Sequence, residues 1–270
     1  MTTIKAYKMD GLGNSFIIID RRKNDINLEK KEIIKLSKIE SFDQIIFIDK
    51  EKNNVSPIQI YNQDGNEVDA CGNGSRCVAY ILGKEKNISR VSLETKNRIL
   101  EASLLKEKLV KINMGKPNFD WKKIPISKNI DQKDISLVLN EVKLNNGFAL
   151  NVGNPHIIFF VKNCFQYDLK KIGPLVETHN LFPEKCNLTL AQIEGRNSIK
   201  INVWERGAGQ TKACGTAACA TSVAAYCKNL TDRKTKIIFE LGSLDIEYNS
   251  DENIFMTGPV SEINKVNISI

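Results

Sequence analysis

The sequence predicts an α/β protein made of two duplicated domains. Apolar strand-like runs and helical patterns both occur throughout its 270 residues. A set of short motifs occurs twice, in the same order. A Pro/Gly interruption separates the two copies. The first copy holds Gly13-Asn14-Ser15-Phe16 before Ile17-Ile18-Ile19, then Asn62, then Asp69-Ala70-Cys71-Gly72-Asn73-Gly74-Ser75-Arg76-Cys77. The second holds Gly153-Asn154-Pro155-His156 before Ile157-Ile158-Phe159-Phe160, then Glu205, then Lys212-Ala213-Cys214-Gly215-Thr216-Ala217-Ala218-Cys219. Asn14 and Cys71 are 57 residues apart, Asn154 and Cys214 60; Asn62 and Glu205 each stand nine residues before their cysteine. A repeat of this length is a duplicated domain, and a site shared by two such domains is expected in the cleft between them.

The β-branched run over 15–20 predicts a buried strand ending at Asp20. Leu28 to Ile39 has helical periodicity, with Leu28, Ile33, Ile34 and Leu36 on one broad face. Ile45–Ile48 and Ile58–Tyr61 read as strands, and a helix opens near Gly72 with Val78, Ala79, Ile81 and Leu82. Strands follow at 90–95, 98–105 and 108–114. The stretch Gly115-Lys116-Pro117-Asn118-Phe119-Asp120-Trp121, with Pro125 beyond it, marks the domain boundary. The expected division is 1–115, joined by a returning strand over 263–270, and 116–262. The second half repeats the pattern and reaches a helix from Gly215 to about Lys228. That helix is rich in Ala217, Ala218, Ala220, Ser222, Ala224 and Ala225, so it is apolar nearly all round and belongs in a core. Strands at 235–240, 243–248, 253–257 and 266–270 complete the chain.

Seven cysteines, an odd number, and no export signal argue for reduced thiols and a cytoplasmic protein. No apolar run of ~18 residues is present, so no membrane span is expected. Lysines are scattered, and the net charge of +7 comes from 39 basic and 32 acidic residues. This pattern describes a solvated surface and argues against nucleic-acid binding.

The candidate chemistry centres on Cys71 and Cys214. Each follows a polar loop and precedes a helix, where the helix dipole is expected to favour the thiolate. Two such thiols in matching halves suggest a matched acid and base. Cys77, Cys164, Cys186, Cys219 and Cys227 read as small buried hydrophobes. Cys71 and Cys77, and Cys214 and Cys219, are not CxxC pairs, and neither pair has a nearby histidine, which argues against zinc. Of the two histidines, His179 reads as structural, while His156, at a strand end, could set the protonation of a thiol, as could Glu205. Helix N-termini beside the cysteines offer N–H groups to a carboxylate. Arg206 could add a bidentate contact. Asn14, Asn62, Asn73, Asn154 and Asn187 offer neutral donors and acceptors for an amino-acid head group.

Gly11-Leu12-Gly13-Asn14, Asn62-Gln63-Asp64-Gly65-Asn66-Glu67, the Cys71 motif, Gly153-Asn154-Pro155-His156, Glu205-Arg206-Gly207-Ala208-Gly209-Gln210-Thr211 and Ala213-Cys214-Gly215-Thr216 together closely resemble the diaminopimelate epimerases. The resemblance runs from near Met9 through Met256-Thr257-Gly258. It implies two pseudo-symmetric domains, each a mixed sheet or barrel wrapped around a central helix, and a homodimer. It also implies cofactor-independent interconversion of LL- and meso-2,6-diaminopimelate, a small-molecule substrate, with no metal. Carried over motif by motif, Cys71 and Cys214 form the acid–base pair, with His156 and Glu205 tuning them. Asn14, Gln44, Asn62, Gly72, Asn73, Asn154, Asn187, Glu205, Arg206, Gly215 and Thr216 contact substrate. Two departures stand out: Ser15 replaces the family's usual Asp, and the loop Lys38-Ile39-Glu40-Ser41-Phe42-Asp43-Gln44 is shortened. The rival readings are a two-cysteine proline or hydroxyproline racemase, a thiol redox sensor and a non-catalytic scaffold.

Overall fold

The computed structural model of the chain describes residues 3–24, 26–68 and 71–269. Asp69 and Ala70 of the first cysteine motif, and Ile270 of the last expected strand, lie outside the described residues. The chain divides into two compact units, Met1–Asn113 with Thr257–Ile270, and Met114–Met256.

The first unit contains β1 (Thr3–Asp10), β2 (Ser15–Asp20), α1 (Lys30–Ser37), β3 (Gln44–Ile48), β4 (Val55–Asn62), β5 (Glu67–Val68), α2 (Gly72–Lys86), β6 (Arg90–Glu94), β7 (Ile99–Leu104) and β8 (Leu109–Asn113). The second contains β9 (Ile135–Leu139), β10 (Val142–Asn151), β11 (Pro155–Phe160), α3 (Leu169–Glu177), β12 (Asn187–Gly195), β13 (Ser198–Glu205), β14 (Gly209–Thr211), α4 (Gly215–Cys227), β15 (Lys234–Phe239) and β16 (Gly242–Tyr248). The chain leaves the second unit within β17 (Ile254–Pro259) and ends in β18 (Asn264–Ser269), which pairs antiparallel with β1.

The duplication is visible in the pairing. In the first unit β2 and β3 are parallel, joined through α1, and β3 is antiparallel to β4. In the second, β11 and β12 are parallel, joined through α3, and β12 is antiparallel to β13. A parallel pair needs a crossover, and each unit supplies one helix for it. The strand after the cysteine helix then pairs parallel with the far end of the earlier strand, β6 with β4 and β15 with β13.

The central helices explain why the strands wrap. Every residue of α2 from Gly72 to Gly83 is buried, and β1, β3, β6, β7 and β8 pack against it. In α4, Ala217, Ala218, Ala220, Ala224 and Ala225 are fully buried, and β10 to β13, β15 and β16 surround it. A helix with no polar face buries itself only when enclosed on all sides, so the alanine-rich pattern is read correctly as a core. On the other face of the first sheet, Ile33 and Leu36 of α1 pack on Ile17, Ile19, Ile45 and Phe47. The second unit repeats this with Leu169, Ile172 and Val176 of α3 on Ile157, Phe159, Leu188 and Leu190.

Strands β1, β9 and β10 are not among the segments read from the sequence. In β1 the buried positions Ile4, Ala6 and Met9 alternate with lysines and a half-buried tyrosine, which dilutes the apolar signal. In β10 the alternation breaks at an irregularity between Leu144 and Gly147.

Candidate active site

Each unit brings the same positions to an edge of its own sheet. In the first, Phe16 pairs with Gln44, and Gln44 with Asn62. In the second, His156 pairs with Asn187, and Leu188 with Trp204, so that Asn187 and Glu205 end adjacent strands side by side. Asn14 and Asn154 immediately precede β2 and β11. Each unit therefore presents an Asn at the start of one strand, an amide at the start of the next, and Asn62 or Glu205 at the end of the third.

In the first unit, Cys71 is the N-cap of α2, and its Sγ accepts from the Gly74 N–H at 3.4 Å. Glycine at position 74 permits a close approach, because a Cβ there would lie 2.5 Å from Ile46 Cδ1 and 3.3 Å from Phe16 Cε1. The α2 N-terminus thus lies close against β2 and β3. The Asn73 amide donates to Asn14 Oδ1 at 2.6 Å, and the Gln44 amide donates to Asn62 Oδ1 at 2.9 Å. The Asp10–Asn14 turn is closed by Gly13 N–H to Asp10 Oδ1 at 2.8 Å. The site residues expected in this half thus fall into two linked amide pairs and the capped thiol. Asn73 Oδ1 is buried and has no protein partner.

In the second unit, Cys214 is the N-cap of α4 in nearly the same backbone conformation, φ −138° and ψ 115° against −137° and 109° for Cys71. Its surroundings differ. Cys214 is buried, its Sγ lies 3.4 Å from Thr216 Oγ1, and Glu205 is a hydrogen-bond partner. Burial, and then the Glu205 carboxylate, push the thiol well above its ordinary range, against smaller opposing contributions from Thr216 and the Ala217 N–H. The expectation that the helix N-terminus lowers this thiol and favours its thiolate is therefore corrected. Desolvating a thiolate beside a carboxylate outweighs two favourable hydrogen bonds.

His156 is fully buried, and its Nε2 lies 2.8 Å from Asn154 Oδ1. Burial, reinforced by Arg206, pushes the ring down to about 3, so the imidazole is neutral. Its Nδ1 has no protein partner. Asn187 is buried, donates to the Pro155 carbonyl at 2.7 Å and accepts from the Arg206 N–H at 2.9 Å. The Arg206 guanidinium is exposed and reaches the Glu184 carbonyl at 3.0 Å.

Against this geometry, a family model described as diaminopimelate epimerase matches residues 6–120 and 148–263. The chain belongs to the diaminopimelate epimerase family. It is 50% identical to a diaminopimelate epimerase of Pelagibacter ubique over 273 residues, covering 99% of each chain. It is 40% identical to one from Wolbachia sp. subsp. Brugia malayi, covering 96% of this chain and 99% of the relative. Among solved structures it is similar to a PhzF-family phenazine biosynthesis protein of Bacillus anthracis, with TM-score 0.72 and 17% identity, each chain covered in full. It is also similar to a hydroxyproline epimerase of Agrobacterium vitis, with TM-score 0.67 and 10% identity, covering 99% of this chain and 93% of that one. At such identities the last two show a shared fold. Membership of the diaminopimelate epimerase family weighs against the proline or hydroxyproline racemase weighed as a rival reading.

Residues outside the sequence-derived set also shape the site. Thr211 donates its hydroxyl to Glu205 Oε1 at 2.5 Å. Glu177 accepts from Trp204 Nε1 at 2.8 Å and from the Gly207 N–H at 3.1 Å, on either side of Glu205-Arg206. Thr211 closes the motif that Glu205 opens, and that proximity is the one signal for its role. Nothing in the local sequence marks Glu177, whose contacts arise only when α3 folds over β13 and β14.

Proposed function

We propose that this chain interconverts LL- and meso-2,6-diaminopimelate without a cofactor, using Cys71 and Cys214 as acid and base. The observation that carries this reading is the pair of matched half-sites, each with a thiol capping a buried helix beside a polar strand edge. Inversion at carbon requires removing a proton from one face and delivering one to the other. Two fixed groups achieve this without turning the substrate. The α-proton of an amino acid is very weakly acidic, so the base must be strong and dry. Cys214 meets that need: the burial and neighbouring carboxylate that make its thiol hold a proton also make its thiolate more basic.

At rest Cys214 holds a proton and is set to deliver it, the meso-to-LL direction. For LL to meso, Cys214 as thiolate takes the α-proton and Cys71 returns one. Glu205 and His156 govern the second half-site, Glu205 through charge and His156 as a neutral ring with an open Nδ1 acceptor. Asn73 Oδ1, the matching open acceptor in the first unit, is suited to a substrate N–H. The N–H groups of Gly72-Asn73 and Gly215-Thr216 are suited to a substrate carboxylate, stabilising the charge that develops as the α-proton leaves. Asn14, Gln44, Asn62, Asn154, Asn187 and Arg206 complete the contacts to the two amino-acid groups.

The domains expected at 1–115 with 263–270 and at 116–262 are read as the two catalytic halves. The working form is read as a cytoplasmic homodimer. No helix among the described residues is long and apolar enough to cross a membrane. The test is chiral analysis of products after incubating the reduced protein with LL-diaminopimelate, L-proline or trans-4-hydroxy-L-proline. Epimerisation of diaminopimelate alone supports this reading, and turnover of either proline without diaminopimelate overturns it.

A further inference from the structure

We propose that Glu177 is a positioning residue that clamps the Glu205-Arg206 turn, and through it the Glu205 carboxylate, beside Cys214. The proposal rests on reading Cys214 as an acid–base group.

Glu177 ends α3 and is only 7% exposed. Its Oε2 accepts from Trp204 Nε1 at 2.8 Å, and its Oε1 from the Gly207 N–H at 3.1 Å and Lys185 Nζ at 3.3 Å. Trp204 precedes Glu205 and Gly207 follows Arg206, so one carboxylate grips the turn at both ends. Between those grips the Arg206 N–H is fixed on Asn187 Oδ1. The indole has no slack, since a Cβ on Gly173 of α3 would fall 2.3 Å from Trp204 Cδ2. Glu205 Oε1 is occupied by the Thr211 hydroxyl.

Among the described residues, no carboxylate grips the matching turn of the first unit in this way. Asn62 stands in the place of Glu205 and is held by the neutral Gln44 amide, and Gln63 donates to the Phe42 carbonyl. The carboxylate clamp occurs in the half where a carboxylate faces the thiol.

A buried carboxylate is costly unless donors surround it. Burial works to raise the Glu177 carboxyl, and the bonds from Trp204, Gly207 and Lys185 outweigh it and hold it below the usual carboxylate range. Its charge reaches Cys186, whose thiol is pushed up by burial and then by Glu177. Among the described residues, the charge that acts on Cys214 is that of Glu205, the one that acts on Glu177 is that of Lys185, and the one that acts on His156 is that of Arg206. Glu177 thus acts on Cys214 through the placement of Glu205.

The test compares the full chain with E177Q and W204F. A glutamine has one acceptor oxygen, so E177Q must release Trp204 or Gly207 while keeping its volume. W204F keeps a ring against Gly173 and removes the indole donor. Three readouts are needed: thermal melting, kcat and KM on LL-diaminopimelate, and carbamidomethylation of the Cys214 peptide by iodoacetamide across pH.

With Glu205 displaced, Cys214 holds its proton less tightly. Its modification at a fixed pH below its midpoint should accelerate severalfold, because the gain in thiolate fraction exceeds the loss in nucleophilicity. The limb of the kcat/KM profile that reports this thiol should move to lower pH in both variants, with kcat reduced. Wild-type Cys214 reactivity and wild-type pH profiles, with only a lowered melting temperature, would overturn the proposal and leave Glu177 structural. If E177Q does not fold, W204F decides the question alone by the same criteria. Failure of the unaltered protein to turn over diaminopimelate defeats the functional reading, whereas the Cys214 modification comparison still decides the clamp.

Discussion

The first unit sets a pair of amides, Gln44 and Asn62, at the strand edge of its thiol half-site, and the second sets Asn187 and Glu205 at the corresponding edge. The same comparison runs through the site. Phe16 lies where the second unit has His156, Gly74 where it has Ala217, and a half-buried Cys71 where it has a buried Cys214. The backbone has kept the geometry of both halves while side-chain changes have separated their electrostatics. One thiol is half-buried and capped by a backbone N–H, and the other is desolvated against a carboxylate. A reaction that takes a proton with one group and returns one with another benefits from two groups that differ in this way.

The comparison breaks most severely if either thiol is dispensable. Cys71→Ala and Cys214→Ala are each expected to lower epimerisation by at least about 10³-fold, with near-native circular dichroism, because each removes a group that, on the proposed mechanism, exchanges a proton with the substrate. Substantial activity in either variant would show that the halves are not acid and base.

Glu205→Gln makes the second half resemble the first by replacing its carboxylate with an amide. It should lower the proton affinity of Cys214 and cut kcat/KM on the order of 10²-fold. An unshifted pH profile would remove Glu205 from the control of Cys214.

His156→Phe installs the residue of the matching position. The ordinary value of this ring is 6.5 and burial takes it to about 3 in the folded chain. The unfolded chain therefore binds the extra proton first as pH falls. Stability from this group is fully present above about pH 6.5 and is lost as pH falls toward 3, on the order of a few kcal/mol in all. Urea titrations across that range should show a flatter acid-side decline in the variant. Equal slopes would mean that His156 is not held neutral.

The smallest effect belongs to the helix seats. Gly74→Ala must displace the Ile46 methyl and should cost about 1–2 kcal/mol. Ala217→Gly should cost about 1 kcal/mol through backbone entropy and a lost buried methyl. Melting temperatures of the two variants check whether α2 sits closer to its sheet than α4.

Much of this arrangement is legible in the sequence because it is local or repeated. Cys71 and Cys214 announce helix starts through the glycines beside them, and the nine-residue spacing by itself aligns Asn62 with Glu205. The alanines of α4 mark an enclosed helix. What is not legible depends on contacts made across the fold. The proton affinity of Cys214 is set by burial, which no helix-terminus argument measures. Glu177 meets Trp204 and Gly207 only after α3 is laid over the sheet. Strand β1 hides because lysine and tyrosine interrupt a pattern that β2 and β18 complete by pairing on either side.

The measurement that tests the two-thiol account most directly is proton NMR and mass analysis of early turnover in D2O, starting from LL-diaminopimelate and the reduced protein. The account predicts deuterium at the inverted α-carbon of the meso product while the remaining LL substrate stays protiated, because one group removes the proton and another, already exchanged with solvent, delivers deuterium. Retention of protium in the product at the inverted centre would mean that a single base returns the proton it took, and would contradict the paired roles of Cys71 and Cys214.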